Sequence, residues 1–264
     1  MLIGRLLRHQ NPIVAFGAFN ERLSCRRFET RGFGLNDATH RNLVSRMLAC
    51  WPGKALMFVT LVPLFNAFYF LPQWVAWRAP VRLPMTIVDR LVPFDPGWVY
   101  VYVSMYVMLL IPPLLTTRGE SLWRYTIGAT IMFVAAAVFF VLWPVEYPRP
   151  ALTGVAPWVY HIVISLDRPV NSIPSLHAGL VAYTLFFAAR ALDDVPVGMR
   201  RSILWVGTTW SAAILYATLA TKQHYLLDLP AGVLLAWVAH ALAWRGASRP
   251  AAVAREPEPE AILT

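Results

Sequence analysis

The sequence predicts an all-α, polytopic membrane protein, built as a bundle of six transmembrane helices with a functional loop on the extracytoplasmic side. Two observations predict this class. Of the 264 residues, 58% are hydrophobic and only 14% are charged, whereas a soluble domain carries about 25% charged residues. Six apolar stretches also reach, or nearly reach, the roughly 20 helical residues that cross a hydrocarbon core of about 30 Å.

The longest interval between the predicted spans lies between the third and the fourth. They cover residues 55–77, 98–115, 122–143, 174–192, 203–220 and 225–244. Prolines inside the first two spans do not exclude them, because membrane helices tolerate proline where neighbouring groups satisfy the freed backbone. These prolines are Pro63, Pro72, Pro112 and Pro113.

Three segments make up the chain. Residues 1–53 form a basic, arginine-rich arm with an amphipathic helix predicted over 37–50, and residues 54–246 form the six-helix membrane domain. Residues 247–264 are charged and broken by proline, which predicts a disordered tail. The loop over residues 144–173 is too long for a simple connector, so we expect it to be a folded, functional cap over the bilayer surface.

Positive charge is divided unevenly between the two sides of the predicted bundle. The side with both termini holds 17 of the 23 lysines and arginines, and the other side holds six. Because basic residues concentrate on the cytoplasmic side, we expect cytoplasmic termini and an extracytoplasmic active face in a plasma or inner membrane. This topology, with attraction to anionic lipids, explains the net charge of +9 without a nucleic-acid partner. The sequence leaves the oligomeric state open.

Polar motifs converge on the extracytoplasmic side from three segments. They are Tyr147–Pro150, Asn171–His177 and Thr221–His224, the last followed one turn deeper by Asp228. Ionisable residues at membrane depth are unfavourable to bury and therefore indicate function. His161 and His240 lie outside the motifs, and we interpret them as packed or interfacial residues.

His224 and Asp228 are four residues apart, which places both side chains on one face of a helix. A carboxylate that accepts the Nδ1–H of an imidazole fixes its tautomer and leaves a lone pair on Nε2. Such an imidazole suits a nucleophile or a general base. His177 supplies a second imidazole on the same side of the predicted membrane.

The residues near the two histidines favour an anionic ligand. Pro174 is predicted in the first turn of the fourth span, so amides near Ser175 would form an anion-binding helix N-terminus. Arg149 and Lys222 add positive charge, although Arg149 also suits an interface anchor and Lys222 a solvated loop residue. Two imidazoles, a carboxylate and cations suit phosphoryl transfer without a metal. One imidazole attacks phosphorus and the other protonates the leaving oxygen, which makes the extracytoplasmic loop an active-site loop.

These motifs resemble those of the type 2 phosphatidic acid phosphatase superfamily, which also includes vanadium haloperoxidases and sphingolipid headgroup transferases. The resemblance covers residues 55–244 and is specific at the two histidine motifs. It implies that His224 is the nucleophile that forms a phosphohistidine, that Asp228 orients it, and that His177 protonates the leaving group.

The resemblance also implies that Arg149, Ser175 and the neighbouring backbone bind phosphate, with no metal or other cofactor. The sequence departs from the family pattern in each of the three motifs. Leu142 stands where lysine is usual, Leu176 replaces a glycine, and Ala217 and Thr218 replace a serine and an arginine. Two cations of the pattern are therefore missing, and Lys222 is the candidate to compensate.

The sequence leaves three functions open. The first is an integral-membrane phosphatase acting on a lipid phosphate or diphosphate. The Pro-Ser-Leu-His motif and the Pro93-Phe94 segment are more similar to the inositol phosphorylceramide synthase branch, so a phosphotransferase acting on a lipid alcohol is the second. A transporter or non-catalytic scaffold is the third. Transporters place polar residues near the bilayer midplane, whereas the ionisable residues here cluster at one face.

Overall fold

The computed structural model describes residues 38–75, 77–152 and 154–245. Within these ranges the chain forms ten α-helices and two short strands. In chain order they are α1 (Ala38–Leu48), α2 (Trp51–Phe70), β1 (Val81–Arg82), α3 (Ile87–Leu91), α4 (Val99–Val103), α5 (Met105–Leu115), α6 (Gly119–Leu142), β2 (Val145–Glu146), α7 (Trp158–Leu166), α8 (Leu176–Ala191), α9 (Val197–Ala220) and α10 (Asp228–Ala243). Most of the predicted arm, residues 1–37, and the predicted tail, residues 247–264, lie outside the described residues.

Four helical segments of the described chain are long and apolar enough to cross a membrane. They are Trp51–Gln73, Pro96–Leu115, Gly119–Leu142 and Val197–Ala220. Helices α8 and α10 are apolar but have only 16 residues each, which is about 24 Å of helix at 1.5 Å per residue. The prediction of a mostly helical chain with apolar helices of membrane-spanning length is therefore confirmed, whereas the count of six spans is not.

Three helices begin at least three residues earlier than the apolar stretches that predicted them, and one of these is α6, which begins at Gly119. Helix α2 begins at Trp51, so the predicted boundary between the arm and the membrane domain falls inside this helix. Helix α9 begins at Val197 and continues through Arg200 and Arg201. Arginine interrupts an apolar run but is a good helix former, so hydropathy alone places the start of α9 too late.

Helix α8 lies at the centre of the bundle, in contact with α5, α6, α9 and α10. Its closest approach is to α10. A Cβ atom built on Gly232 would lie 2.1 Å from the carbonyl oxygen of Ser175, and one built on Gly179 would lie 3.2 Å from the carbonyl oxygen of Gly232. Glycine at both positions therefore lets the N-terminal halves of α8 and α10 touch, since only glycine allows backbones this close.

A buried lysine joins the last turn of α1 to the last turn of α5. The Nζ atom of Lys54 donates to the carbonyl oxygens of Arg46 at 2.7 Å, Met47 at 3.1 Å and Leu114 at 2.7 Å. These carbonyls belong to the last turns of α1 and α5, where backbone acceptors lack partners within their own helix. The ammonium therefore holds α1 against α5.

The loop over residues 144–173 is folded against the other end of the bundle. Strand β2 pairs in parallel with β1, and a further bridge joins Val145 to Asn171. Helix α7 packs against α4, where Tyr160 is buried beside Tyr102. The loop backbone is thereby held next to the N-terminus of α8.

Candidate active site

One end of the bundle brings together the three residues predicted to be catalytic. His177 lies in the first turn of α8, His224 lies in the segment between α9 and α10, and Asp228 is the first residue of α10. Their exposed fractions are 6%, 4% and 0%. The close contact of α8 with α10 places these side chains in one buried cluster.

The imidazole of His224 is held through its Nδ1 atom. This atom lies 3.0 Å from the carbonyl oxygen of Ser172 and 3.3 Å from Oδ2 of Asp228. Both neighbours are acceptors, so we assign the proton to Nδ1 and the lone pair to Nε2.

The contact between His224 and Asp228 is the one predicted, but the reason given for it is wrong. His224 is not part of a helix with Asp228, because it lies in the turn before α10. The turn is closed by the amide of Tyr225, which donates to Oδ2 of Asp228 at 2.9 Å. The carboxylate therefore serves both the turn and the imidazole.

The second imidazole faces the first. Nδ1 of His177 lies 3.3 Å from Nε2 of His224, and because that Nε2 accepts, Nδ1 of His177 is the donor. The ring of Tyr102 packs on His177 with 4.3 Å between ring centroids. Nε2 of His177 is buried and has no hydrogen-bond partner within the part of the chain that the structure describes.

Arg149 extends its guanidinium to the loop that carries His224. Nη1 donates to the carbonyl oxygen of Asp167 at 2.5 Å, and Nη2 donates to the Asp167 carboxylate at 3.0 Å. Nη2 also donates at 2.5 Å to the side-chain oxygen of Gln223, the residue before His224. The structure therefore joins the predicted phosphate-binding arginine to the residue that precedes the predicted nucleophile.

Asp167 is part of this site, although no motif gave it a role. Its Oδ1 atom accepts from the hydroxyl of Tyr69 and from the side-chain amide (Nε2) of Gln73, both at 2.9 Å. Burial raises the pKa of Asp167 above its ordinary value, and the Arg149 guanidinium and these hydrogen bonds oppose the rise. Tyr69 and Gln73 belong to the first spanning segment, and nothing in the spacing of the sequence indicates that they reach the site.

Ser175 caps α8 and contacts α10. Its hydroxyl oxygen accepts from the amide of Ala178 at 3.2 Å, and its own amide donates to the carbonyl oxygen of Asp228 at 3.2 Å. The prediction that Pro174 lies in the first helical turn is wrong, because α8 begins at Leu176 and Ser175 is its N-cap. Since the Ser175 amide is occupied by α10, the hydroxyl hydrogen is the group left for the predicted contact with phosphate.

Lys222 is buried in the same loop, but its ammonium has other partners. Nζ donates to the carbonyl oxygens of Asp89 at 2.8 Å and Val92 at 2.6 Å. Burial lowers the pKa of Lys222, and the charge of Asp89 opposes the change. Among the described residues, no hydrogen bond joins Lys222 to Arg149 or to either histidine. The geometry gives Lys222 the task of fastening its loop to the end of α3.

Asp89 strengthens that attachment. Its Oδ1 atom accepts from the amide of Leu226 at 2.8 Å, while its Oδ2 atom accepts from the amide of Thr86 at 2.8 Å. Two residues of the loop between α9 and α10 thus bind the segment around α3. No motif of the sequence contains Asp89, so the sequence does not indicate this contact.

Several polar atoms around the site are buried without a hydrogen-bond partner among the described residues. They are Nε of Arg149, Oδ1 of Asn171, Oγ of Ser172, Nε2 of His177 and Oδ1 of Asp228. An unsatisfied buried polar group costs about 1–3 kcal/mol, so a cluster of them indicates a place for a polar ligand or for water. Nε of Arg149 and the hydroxyl of Ser172 can donate to an anionic ligand, whereas the Oδ1 atoms of Asn171 and Asp228 can only accept.

Comparison of the chain with models of protein families, with curated proteins and with solved structures gives no match. Within the residues that the structure describes, no three His, Cys, Asp or Glu side chains are grouped so as to hold a metal ion.

Proposed function

We propose that this protein is an integral-membrane phosphatase that hydrolyses a lipid phosphate or diphosphate through a phosphohistidine on His224. One observation carries the proposal. Nδ1 of His224 is held by the Ser172 carbonyl and by Asp228, so the lone pair of Nε2 is directed at His177. A neutral imidazole held in this way is prepared for nucleophilic attack. The proposal places the chain in the type 2 phosphatidic acid phosphatase superfamily that its motifs resemble.

In the first half-reaction, the phosphoryl group enters between the two imidazoles and replaces their 3.3 Å contact. Nε2 of His224 forms a bond to phosphorus as the bond from phosphorus to the lipid oxygen breaks. Protonated His177 gives its proton to that oxygen, and the lipid alcohol leaves, or the lipid monophosphate when the substrate is a diphosphate. Asp228 stabilises the positive charge that develops on His224.

In the second half-reaction, His177 is neutral and accepts a proton from water. The water oxygen attacks phosphorus, the bond to Nε2 of His224 breaks, and inorganic phosphate leaves. Both imidazoles return to their starting protonation states. Arg149 holds the phosphoryl oxygens through both steps, because the negative charge that a guanidinium stabilises is present throughout.

The proposed setting is a plasma or inner membrane, with both termini in the cytoplasm and the active site outside it. The division of 17 basic residues against six supports this orientation. We propose that α8 and α10 complete a six-helix body with the four longer segments. Their apolar sequences support this proposal, and so does the central position of α8.

A phosphotransferase that moves a phosphate headgroup onto a lipid alcohol is the second candidate. It shares the first half-reaction and differs in the acceptor that resolves the phosphohistidine. The burial of both His177 and His224 favours it, because a buried site limits the access of water. The Pro-Ser-Leu-His motif supports the same candidate by resemblance.

The test is phosphate release from a pure lipid phosphate by the purified protein in excess chelator. We expect turnover to persist, because the proposed steps use only side chains. We expect vanadate to inhibit it, because vanadate mimics the transition state of phosphoryl transfer. Transfer to an added lipid alcohol in place of phosphate release would select the second candidate. Activity lost to the chelator and restored by magnesium would contradict the phosphohistidine mechanism.

A further inference from the structure

We infer that Asp167 is a positioning residue that holds the guanidinium of Arg149 in the orientation that phosphate binding requires. The inference rests on the proposed function, because it takes Arg149 as a ligand of the phosphoryl group. Asp167 acts through Arg149 and takes no part in a chemical step.

The two sides of the guanidinium have different partners. Asp167 binds the side formed by the terminal nitrogens, since Nη1 donates to its carbonyl oxygen and Nη2 to its carboxylate. On the other side, Nη2 also donates to Gln223, and Nε is buried without a partner in the described chain. Gln223, the residue that precedes His224, therefore occupies the side of the guanidinium that carries Nε. A phosphoryl oxygen can bind this side by using Nε and displacing Gln223.

Asp167 is itself fixed from the opposite direction. Its Oδ1 atom accepts from Tyr69 and Gln73 at 2.9 Å each. Oε1 of Gln73 in turn accepts from the backbone amide of Arg168 at 2.9 Å. The carboxylate is therefore a link between the first spanning segment and Arg149, and its own position does not depend on a bound ligand.

This position requires a carboxylate. Three donors converge on its two oxygens, and an ionised carboxylate is a pure acceptor. Asparagine has one oxygen and one amide donor, so it would satisfy either Arg149 or the pair Tyr69 and Gln73. The amide nitrogen of the asparagine would then face the donors that its oxygen does not bind, and two donors cannot form a hydrogen bond. We expect the loss of this charge-assisted contact to weaken phosphate binding by about tenfold or more.

Asp194 supplies a matched control. It lies beyond the other end of α8, and its carboxylate accepts from Arg46 at 2.8 Å and 2.9 Å. Asp194→Asn therefore removes an aspartate–arginine pair of the same kind far along the helix from His177. Asp167→Glu is a second comparison, because it keeps the charge and both oxygens.

The experiment measures KM, kcat and the vanadate inhibition constant for wild type, Asp167→Asn, Asp167→Glu and Asp194→Asn. In Asp167→Asn, KM and the inhibition constant should both rise about tenfold, while kcat changes less than about threefold. Asp167→Glu should retain more of the wild-type KM. Asp194→Asn should lower thermal stability and leave both constants unchanged. Unchanged constants in Asp167→Asn, or an equal rise in Asp194→Asn, would overturn the inference.

Wild type and Arg149→Ala separate this inference from the function on which it rests. If wild type turns over no lipid phosphate, both proposals fall. Suppose instead that wild type is active, and that KM rises in Arg149→Ala but not in Asp167→Asn. The proposed function then stands, and the positioning role of Asp167 is overturned.

Discussion

His224 and Asp228 meet across a turn, with 3.3 Å between Nδ1 of the imidazole and Oδ2 of the carboxylate. The same oxygen accepts from the amide of Tyr225, and the carbonyl oxygen of Asp228 accepts from the amide of Ser175. Asp228 is therefore fixed by its own turn and by α8 independently of the imidazole. Its charge can be removed while these two attachments are kept.

Asp228→Asn should consequently leave the fold intact and lower kcat by about two to four orders of magnitude. The side-chain oxygen of asparagine can still accept from Tyr225, but the imidazole loses its charged partner. The measurement is kcat together with the unfolding temperature in detergent. A nearly wild-type kcat would remove Asp228 from the mechanism, and a large fall in unfolding temperature would show that its charge serves the fold.

Lys222→Met should lower stability and leave KM unchanged. The variant loses two charged hydrogen bonds to the carbonyl oxygens of Asp89 and Val92, so the free energy of unfolding should fall by roughly 1–3 kcal/mol. Arg90→Met is the control, because it removes an exposed positive charge from the same segment. A rise in KM in Lys222→Met that is absent from Arg90→Met would instead assign Lys222 to phosphate binding, the role that its sequence position predicts.

The raised pKa of Asp167 predicts a pH dependence of stability. As pH rises, the unfolded carboxyl loses its proton first and the folded one loses it later. Between the two pKa values the folded state binds more protons, so stability falls with rising pH. Across this interval, the stability of wild type should therefore fall relative to that of Asp167→Asn. Above the pKa of Asp167 in the folded protein, the two stabilities should change with pH in parallel. Thermal unfolding of both proteins at a series of pH values checks this, and a relative gain in stability would show that Arg149 outweighs burial.

Cysteine labelling tests the proposed orientation. In a chain with Cys25 and Cys50 changed to serine, Val155→Cys should react with a membrane-impermeant thiol reagent in intact cells, and Glu120→Cys should not. Both native side chains are exposed, so the difference reports the side of the membrane. Labelling only at position 120 would reverse the topology drawn from the basic residues.

The sequence predicts this structure where neighbouring residues determine it. Hydropathy locates the apolar helices, and the polar motifs identify His177, His224, Asp228 and Arg149, which the structure brings together. Hydropathy does not show that α8 has only 16 residues, because apolar residues continue the pattern beyond the helix.

The remaining partners of the site come from distant parts of the chain. Asp167 binds Tyr69 and Gln73, which lie more than 90 residues earlier, and the loop of Lys222 binds the segment of Asp89. These contacts depend on how the helices pack. A single amino-acid sequence contains no periodicity or spacing that indicates these long-range contacts.

Isolation of the phosphorylated protein tests the central claim most directly. Purified protein is mixed with a lipid carrying radioactive phosphate in excess chelator, quenched with alkali, and the label is mapped to a residue. We predict an alkali-stable label on His224 in wild type, a label that persists in His177→Ala, and none in a folded His224→Ala protein. Turnover that continues without a label on His224, or a label on another residue, would contradict the account.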